Sequence, residues 1–253
     1  MSHFEDYAEK YECVRLERND GILLMTLHTN GNSLVWDEIP HRELGYLFAD
    51  VGADSSNRVV ILTGAGDDFC TEIVADDWDL STPKGWDQLY WEGRRLIQNY
   101  LDMPVPMIAA VNGPAQIHAE LAVLCDIVLA ADTVEFQDAA HFKHHGAVPG
   151  DGCHLVWPLL LGMTRGRYFL LTGQKISAEQ ALEMGIVNEL LPREQLMSRA
   201  FALAGELASQ PPLAVRYTRV ALNMMLKNML GDSLSHGLAL EGLGIIENQR
   251  PRS

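Results

Sequence analysis

The chain has 253 residues, 47% of them hydrophobic and 21% charged, ordinary values for a globular protein with one large domain or two small ones. Its formal net charge of −15 would repel a phosphate backbone, which argues against nucleic-acid binding. It also weakly disfavours polyanions such as coenzyme A unless a local basic pocket overrides it. No apolar run approaches the roughly 18 residues of a membrane helix, and the acidic start "MSHFEDYAEKYE" has no signal-peptide core. Cys13, Cys70, Cys125 and Cys153 form no C-x-x-C pair, so a cytoplasmic protein with reduced thiols is expected.

"YECVRLERNDGILLMTLHT" reads as two short strands around Asn19-Asp20-Gly21. A helix is predicted from about Pro40, with Leu44, Leu47 and Phe48 on one face. "RVVILTGAG" is β-branched, apolar and closed by glycine, as a buried strand is. "KGWDQLYWEGRRLIQNYLD" is a second helix, "VPMIAAVNG" a second buried strand and "HAELAVLCD" a short helix; "DIVLAA" and "TVEFQD" are two more strands. After Gly150 helix follows helix. Ser177 and Gln180 make a capping box, with Gly185 as its C-cap. "REQLMSRAFALAGELASQ" and "LAVRYTRVALNMMLKNML" are split by Pro211-Pro212, and "DSLSHGLALEGLGIIENQ" is a final leucine-rich stretch.

Several of these segments share one pattern. "RVVILTGAGDDFCTE" resembles the strand and loop that build half of the oxyanion hole in the crotonase (enoyl-CoA hydratase/isomerase) family. "VPMIAAVNGPAQIHAELAVLCDIVLAADTVEF" resembles the family's second such segment, and "GAVPGDG" its G-x-x-P-G loop. "RGRYFLLTGQKISAEQALEMGIVNELLP" is similar to the segment that follows. The resemblance covers roughly residues 12–230. It implies an α/β fold, a spiral of ββα units over residues 1–195 with a helical trimerisation region over 196–253.

The departures from the family pattern are specific. Glu72 stands where the family has the glycine of F-x-x-G-x-D, and "PAQIHAEL" replaces a glycine-rich run and is one residue shorter. Of the two glutamates that work on water in hydratases only Glu120 remains; the other position falls in "AAHFKHH", which has no carboxylate. One branch, the β-diketone hydrolases of the 6-oxocamphor hydrolase type, is similar through "SLVW" (Ser33 to Trp36), His41, "FQD…HF", "VPGDG" and "RGRYFLLTGQ". That resemblance implies hydrolysis of the C–C bond between two ketones of a cyclic or bicyclic diketone, with no cofactor and no metal. His141 and Asp151 match the pair that activates water, with one more residue between them than expected. Glu241 matches a carboxylate from the C-terminal helix. Trp36, His41 and His118 match polar side chains lining the diketone pocket, and Trp78 and Leu80 its apolar wall. The implied partners are a small diketone and copies of the same chain, as a homotrimer or a dimer of trimers.

The residue types suit that chemistry. An imidazole supplies a base near neutral pH, a carboxylate such as Asp151 fixes its tautomer, and the Trp36 indole N–H and the His118 imidazole are suitable donors for the oxyanion and the enolate, with His41 alongside. Each residue also has a plainer use. Asp151 precedes a helix and could cap it, Glu241 could be solvated, and Glu120 could be a buried structural acid. His144 and His145 read as loop residues, though His144 is the alternative base. Spacing of this kind on a glycine-proline loop is not the H-E-x-x-H of a zinc site. Two other readings stay open: an acyl-CoA hydratase or isomerase using Glu120, and a non-catalytic binding scaffold.

Overall fold

The computed structural model describes residues 2–76, 78–80 and 82–248. After a short helix α1 (Phe4–Tyr7) come β1 (Val14–Asn19) and β2 (Ile22–Leu27). They form the expected antiparallel hairpin, Asn19 opposite Ile22. Asp20 and Gly21 take φ of 49° and 79°, the pair of left-handed residues that a two-residue turn of this hand requires. The chain continues through β3 (Leu34–Trp36) into α2 (Glu38–Ala53), then β4 (Val59–Gly64), β5 (Cys70–Ile73) and α3 (Pro83–Asp102). Next are β6 (Met107–Val111), α4 (Glu120–Val123), β7 (Ile127–Ala131), β8 (Glu135–Phe136) and α5 (Phe142–His145). The last part holds α6 (Cys153–Leu161), α7 (Met163–Thr172), β9 (Ile176–Ser177), α8 (Ala178–Glu183), β10 (Glu189–Leu191), α9 (Arg193–Ala208) and α10 (Pro212–Asn248).

Two sheets result, as a spiral of ββα turns demands. The larger runs β1-β2-β4-β6-β7-β10, and from β2 onward every pairing is parallel. Strands covered on both faces must be apolar throughout, and every residue of β4 and β6 is buried. The second layer joins β3 to β5 and β8 to β9, with Ala115 bridging Cys70 and Phe136 between them. Helix α2 starts at Glu38, two residues before the expected point, because Asp37 Oδ1 accepts from the Ile39 amide at 2.8 Å. Ser177 and Gln180 form the capping box, and Gly185 lies just past α8 at φ 76°.

The C-terminal stretches expected as separate pieces are one helix of 37 residues. Its glycines do not end it, and one of them, Gly237, allows a close backbone contact with Gly150 outside the helix. A Cβ on Gly237 would lie 2.3 Å from the Gly150 carbonyl, and one on Gly150 would lie 2.1 Å from that of Gly237. The helix is held lower down by the buried Arg219, which donates from Nε to Asp126 Oδ2 at 2.7 Å and from its guanidinium to the Met103 carbonyl. The expected boundary at residue 195 falls inside α9, which packs on β2, β4, β6 and β7, whereas α10 packs mainly on α3.

One buried polar cluster is purely internal. Asp54 accepts from Tyr7 Oη at 3.0 Å, Arg18 Nη1 at 2.6 Å and the Ser56 amide at 2.9 Å, while Asn57 Nδ2 donates to Tyr7 Oη. These bonds tie α1, β1 and the end of α2 together.

Candidate active site

A cavity of about 400 Å³ is enclosed by the segment after β5, helix α3, residues 140–151 and the C-terminal half of α10. That size suits a small molecule. All eight residues singled out from the sequence line it: Trp36, His41, Trp78, Leu80, His118, His141, Asp151 and Glu241. Among the described residues lining it there is no lysine or arginine.

Local structure explains how they converge. Trp36 closes β3, whose hydrogen-bonded partner is β5, and Trp78 and Leu80 follow β5. His118 sits at φ 47°, a left-handed conformation that a non-glycine residue holds only when its surroundings impose it. His141 immediately precedes α5. Asp151 does have the capping use open to it: Oδ1 accepts the Cys153 amide at 3.3 Å at the start of α6. Its Oδ2 meanwhile lies 3.4 Å from both His141 Nε2 and His118 Nδ1. Glu241 is brought to 3.8 Å from His141 Nε2 by α10, which the Gly150–Gly237 contact presses against that loop.

The orienting role expected of Asp151 falls to another residue. Asp138 Oδ1 lies 2.7 Å from His141 Nδ1, so Asp138 fixes the ring and its tautomer, leaving Nε2 for Asp151 and Glu241. The same pattern recurs twice on this wall. His118 Nδ1 meets Glu120 Oε1 at 2.5 Å, and His41 Nδ1 meets Glu92 Oε2 at 2.9 Å. Each of these three histidines thus has a buried carboxyl behind it and its Nε2 free of that bond. Glu120 is buried, and its other oxygen accepts from Cys153 Sγ at 3.3 Å. It supports His118 and does not line the cavity. His144 is exposed and turned to Gln137, while His145 lines the mouth.

Charge in the site follows from burial and proximity. Burial opposes a charge on His141, but the Asp151 and Asp138 carboxylates outweigh it and raise the imidazole well above its ordinary value. Asp151 would be raised by burial, yet His141 and then His118 hold it well below the usual carboxylate range. Glu241 is pushed well above its ordinary value, by burial first and by the neighbouring carboxylates against the opposing pull of His141. Glu92 is held low, its burial outweighed by hydrogen bonds from His41 and Gln88. Several polar atoms here are buried without a partner: Trp36 Nε1, Trp78 Nε1, Asp138 Oδ2, Asp151 Oδ2 and Glu241 Oε2.

Two sets, Asp138–His141–Cys153 and His118–Glu120–Asp151, bring three potential metal ligands within 4.8 Å. The chemistry of the first does not favour an ion. Burial and then the nearby carboxylates push the Cys153 thiol well up, so it is a neutral donor to Glu120 and not a thiolate.

Sequence reasoning passed over Asp138, Glu92, Trp86 and the α10 residues Leu238, Ile245 and Asn248 that share the cavity with Glu241. The last group carried a signal, since 238, 241, 245 and 248 repeat at helical spacing. Asp138 lies three residues before His141. Nothing in the linear sequence couples Glu92 to His41, 51 positions away.

The family model described as enoyl-CoA hydratase/isomerase matches residues 17–240. A carnitinyl-CoA dehydratase of Shigella flexneri is 33% identical over 209 residues, covering 81% of this chain and 77% of that protein. The 1,2-epoxyphenylacetyl-CoA isomerase of Escherichia coli K12 is 31% identical over 219 residues, covering 85% and 83%. Among solved structures, a β-diketone hydrolase from the cyanobacterium Anabaena sp. PCC 7120, bound to (S)-3-oxocyclohexyl acetic acid, superposes with a TM-score of 0.93. It is 46% identical, over 97% of this chain and 98% of that one.

Proposed function

The chain belongs to the enoyl-CoA hydratase/isomerase (crotonase) family of enzymes, and within it we propose a hydrolase that cleaves the C–C bond between the carbonyls of a cyclic or bicyclic β-diketone, giving a keto acid. The observation that carries this reading is His141 in a cavity with no lysine or arginine among its described lining residues, with Asp151 and Glu241 facing its Nε2. The likeness to the Anabaena hydrolase supports it. An acyl-CoA hydratase would need Glu120 as its acid, and both oxygens of Glu120 are already engaged, by His118 and by Cys153.

In the proposed reaction His141, with Nδ1 on Asp138, is active as the neutral imidazole. Water adds to one carbonyl carbon as its proton passes to Nε2. Asp151 holds the imidazolium so formed. The alkoxide is received by the Trp36 indole N–H. It collapses to a carboxylic acid as the C–C electron pair moves onto the second carbonyl as an enolate. The enolate carbon is then protonated by the imidazolium or by the neutral Glu241. Water is the only co-reactant, and no cofactor is involved.

The test is incubation of the purified protein with a bicyclic 1,3-diketone and, separately, with crotonyl-CoA. Loss of the diketone with appearance of one keto acid is expected; turnover of the thioester alone would overturn the reading. No described helix is long and apolar enough to cross a membrane. The exposed apolar side chains of α10, among them Leu213, Tyr217 and Leu222, fit the proposed homotrimer or dimer of trimers, which light scattering would distinguish.

A further inference from the structure

We infer that Trp78 is the hydrogen-bond donor for one of the two substrate oxygens, in partnership with Trp36, and not a stretch of apolar wall. The inference deepens the diketone reading and rests on it.

Among the buried side-chain atoms of the described residues, the only nitrogens without a partner are Trp36 Nε1 and Trp78 Nε1; the other three unpartnered atoms are carboxyl oxygens. An indole N–H can only donate, and a buried donor without an acceptor is disfavoured. Two such donors, on two residues that line one cavity, are an arrangement that a ligand with two acceptors would complete as the indoles turn to meet it. The remaining ring N–H groups nearby are taken. Trp86 Nε1 donates to the Leu238 carbonyl at 3.1 Å, and His41 and His118 are engaged at Nδ1 by Glu92 and Glu120. Those bonds fix the two imidazole rings, and the indole N–H groups of Trp36 and Trp78 are the ring donors left without an acceptor.

The order of rings along the wall assigns the two donors. Trp78 lies 5.4 Å from His41 between ring centroids, His41 lies 6.1 Å from Trp36, Trp36 stacks on His118 at 3.8 Å, and His118 lies 6.3 Å from His141. Trp36 is thus on the His141 side of His41 and Trp78 on the far side. Water activated at His141 attacks the carbonyl nearer Trp36, whose N–H receives the alkoxide. The second carbonyl reaches toward Trp78, whose N–H receives the enolate oxygen as the C–C bond breaks. Neither donor titrates, so both remain in place over the whole pH range in which His141 exchanges its proton. A cyclic monoketone leaves one of the two indoles unfilled, which makes the pair a device for recognising 1,3-diketones.

Trp78→Phe keeps an aromatic wall and removes only the donor. Using a cyclic 1,3-diketone as substrate and the matching monoketone as competitive inhibitor, kcat/KM is expected to fall 10- to 100-fold, roughly 1.4 to 2.8 kcal/mol. The monoketone inhibition constant should stay unchanged. A variant that keeps the wild-type kcat/KM overturns the assignment of Trp78 while leaving the hydrolase reading intact. A wild-type protein inert toward every 1,3-diketone overturns both. Should Trp78→Phe fold poorly, the wild-type indole N–H resonances decide. The Trp78 signal should move downfield when a non-hydrolysable diketone analogue binds, and an unmoved signal in a saturated complex overturns the inference.

Discussion

The clusters around Asp54 and around His141 are built from the same materials, and the difference lies in what is left over. Both combine buried carboxylates with a cation and short hydrogen bonds. At Asp54 both carboxylate oxygens are engaged: Oδ1 by the Ser56 amide, Oδ2 by Tyr7 and Arg18, with Asn57 Nδ2 on the Tyr7 hydroxyl and the Val51 carbonyl. Among the described residues of the site, three carboxyl oxygens and two indole nitrogens have no hydrogen-bond partner, although Asp151 Oδ2 stays within ion-pair distance of two imidazoles. A closed network contributes to stability. An open one costs stability and keeps its bonding capacity for something that is not part of the chain.

The contrast can be broken at either end. The largest effect is expected from His141→Ala, which removes the proposed base. The rate of diketone hydrolysis should fall by about a thousandfold or more, measured as kcat on the folded variant, and an unaffected rate would move the base elsewhere. Asp54→Asn should act the opposite way. It leaves kcat alone and lowers stability by about 1–3 kcal/mol, because a charge-assisted bond to Arg18 is lost in a buried setting. Denaturant unfolding reads that loss, and an Asp54→Asn enzyme with altered kcat would dissolve the distinction between the two clusters.

The smallest and sharpest effect is in pH dependence. His141 is raised above the ordinary imidazole value of 6.5, and the base acts in its deprotonated form, so kcat/KM should climb with pH through a midpoint above 6.5. A raised value also means that His141 contributes stability at low and neutral pH, and that this contribution is lost as pH rises through the folded-state value. Asp54 has the reverse sign. Burial would raise it, but the Ser56 amide, Tyr7 and Arg18 hold it low. Its contribution is therefore present above the ordinary aspartate range and lost on acidification below it. Unfolding followed across pH should show the two losses at opposite ends.

Much of the fold was legible because it follows from local rules. The Asp20-Gly21 turn, the buried strands at 59–64 and 107–111 and the Ser177–Gln180 box each carry their own signature. The small β3–β5 pair was not legible, since strands of three and four residues have no periodicity to read. The single α10 was hidden by glycines that usually end helices and here permit contact. In the site, eight of the residues that line the cavity are named by the resemblance, while the carboxyls behind the histidines are not. Glu92 and Asp138 become visible only when α3 and the segment after β8 fold against their partners. That is why Asp151 was given the orienting part that Asp138 plays.

The contact between Gly150 and Gly237 also says where this enzyme is free to change. A single added methyl on either residue would run into the other's backbone, so the wall that carries Asp151 and Glu241 tolerates no growth and no shift. Across the cavity, Ile73 ends the short strand β5, and Ala75 and Leu80 follow it with apolar side chains. Variation in the size and shape of the substrate, whether arising in evolution or introduced by design, is therefore expected at apolar positions such as Ile73, Ala75 and Leu80, while the Gly150–Gly237 seam and the groups that meet the reacting atoms stay fixed.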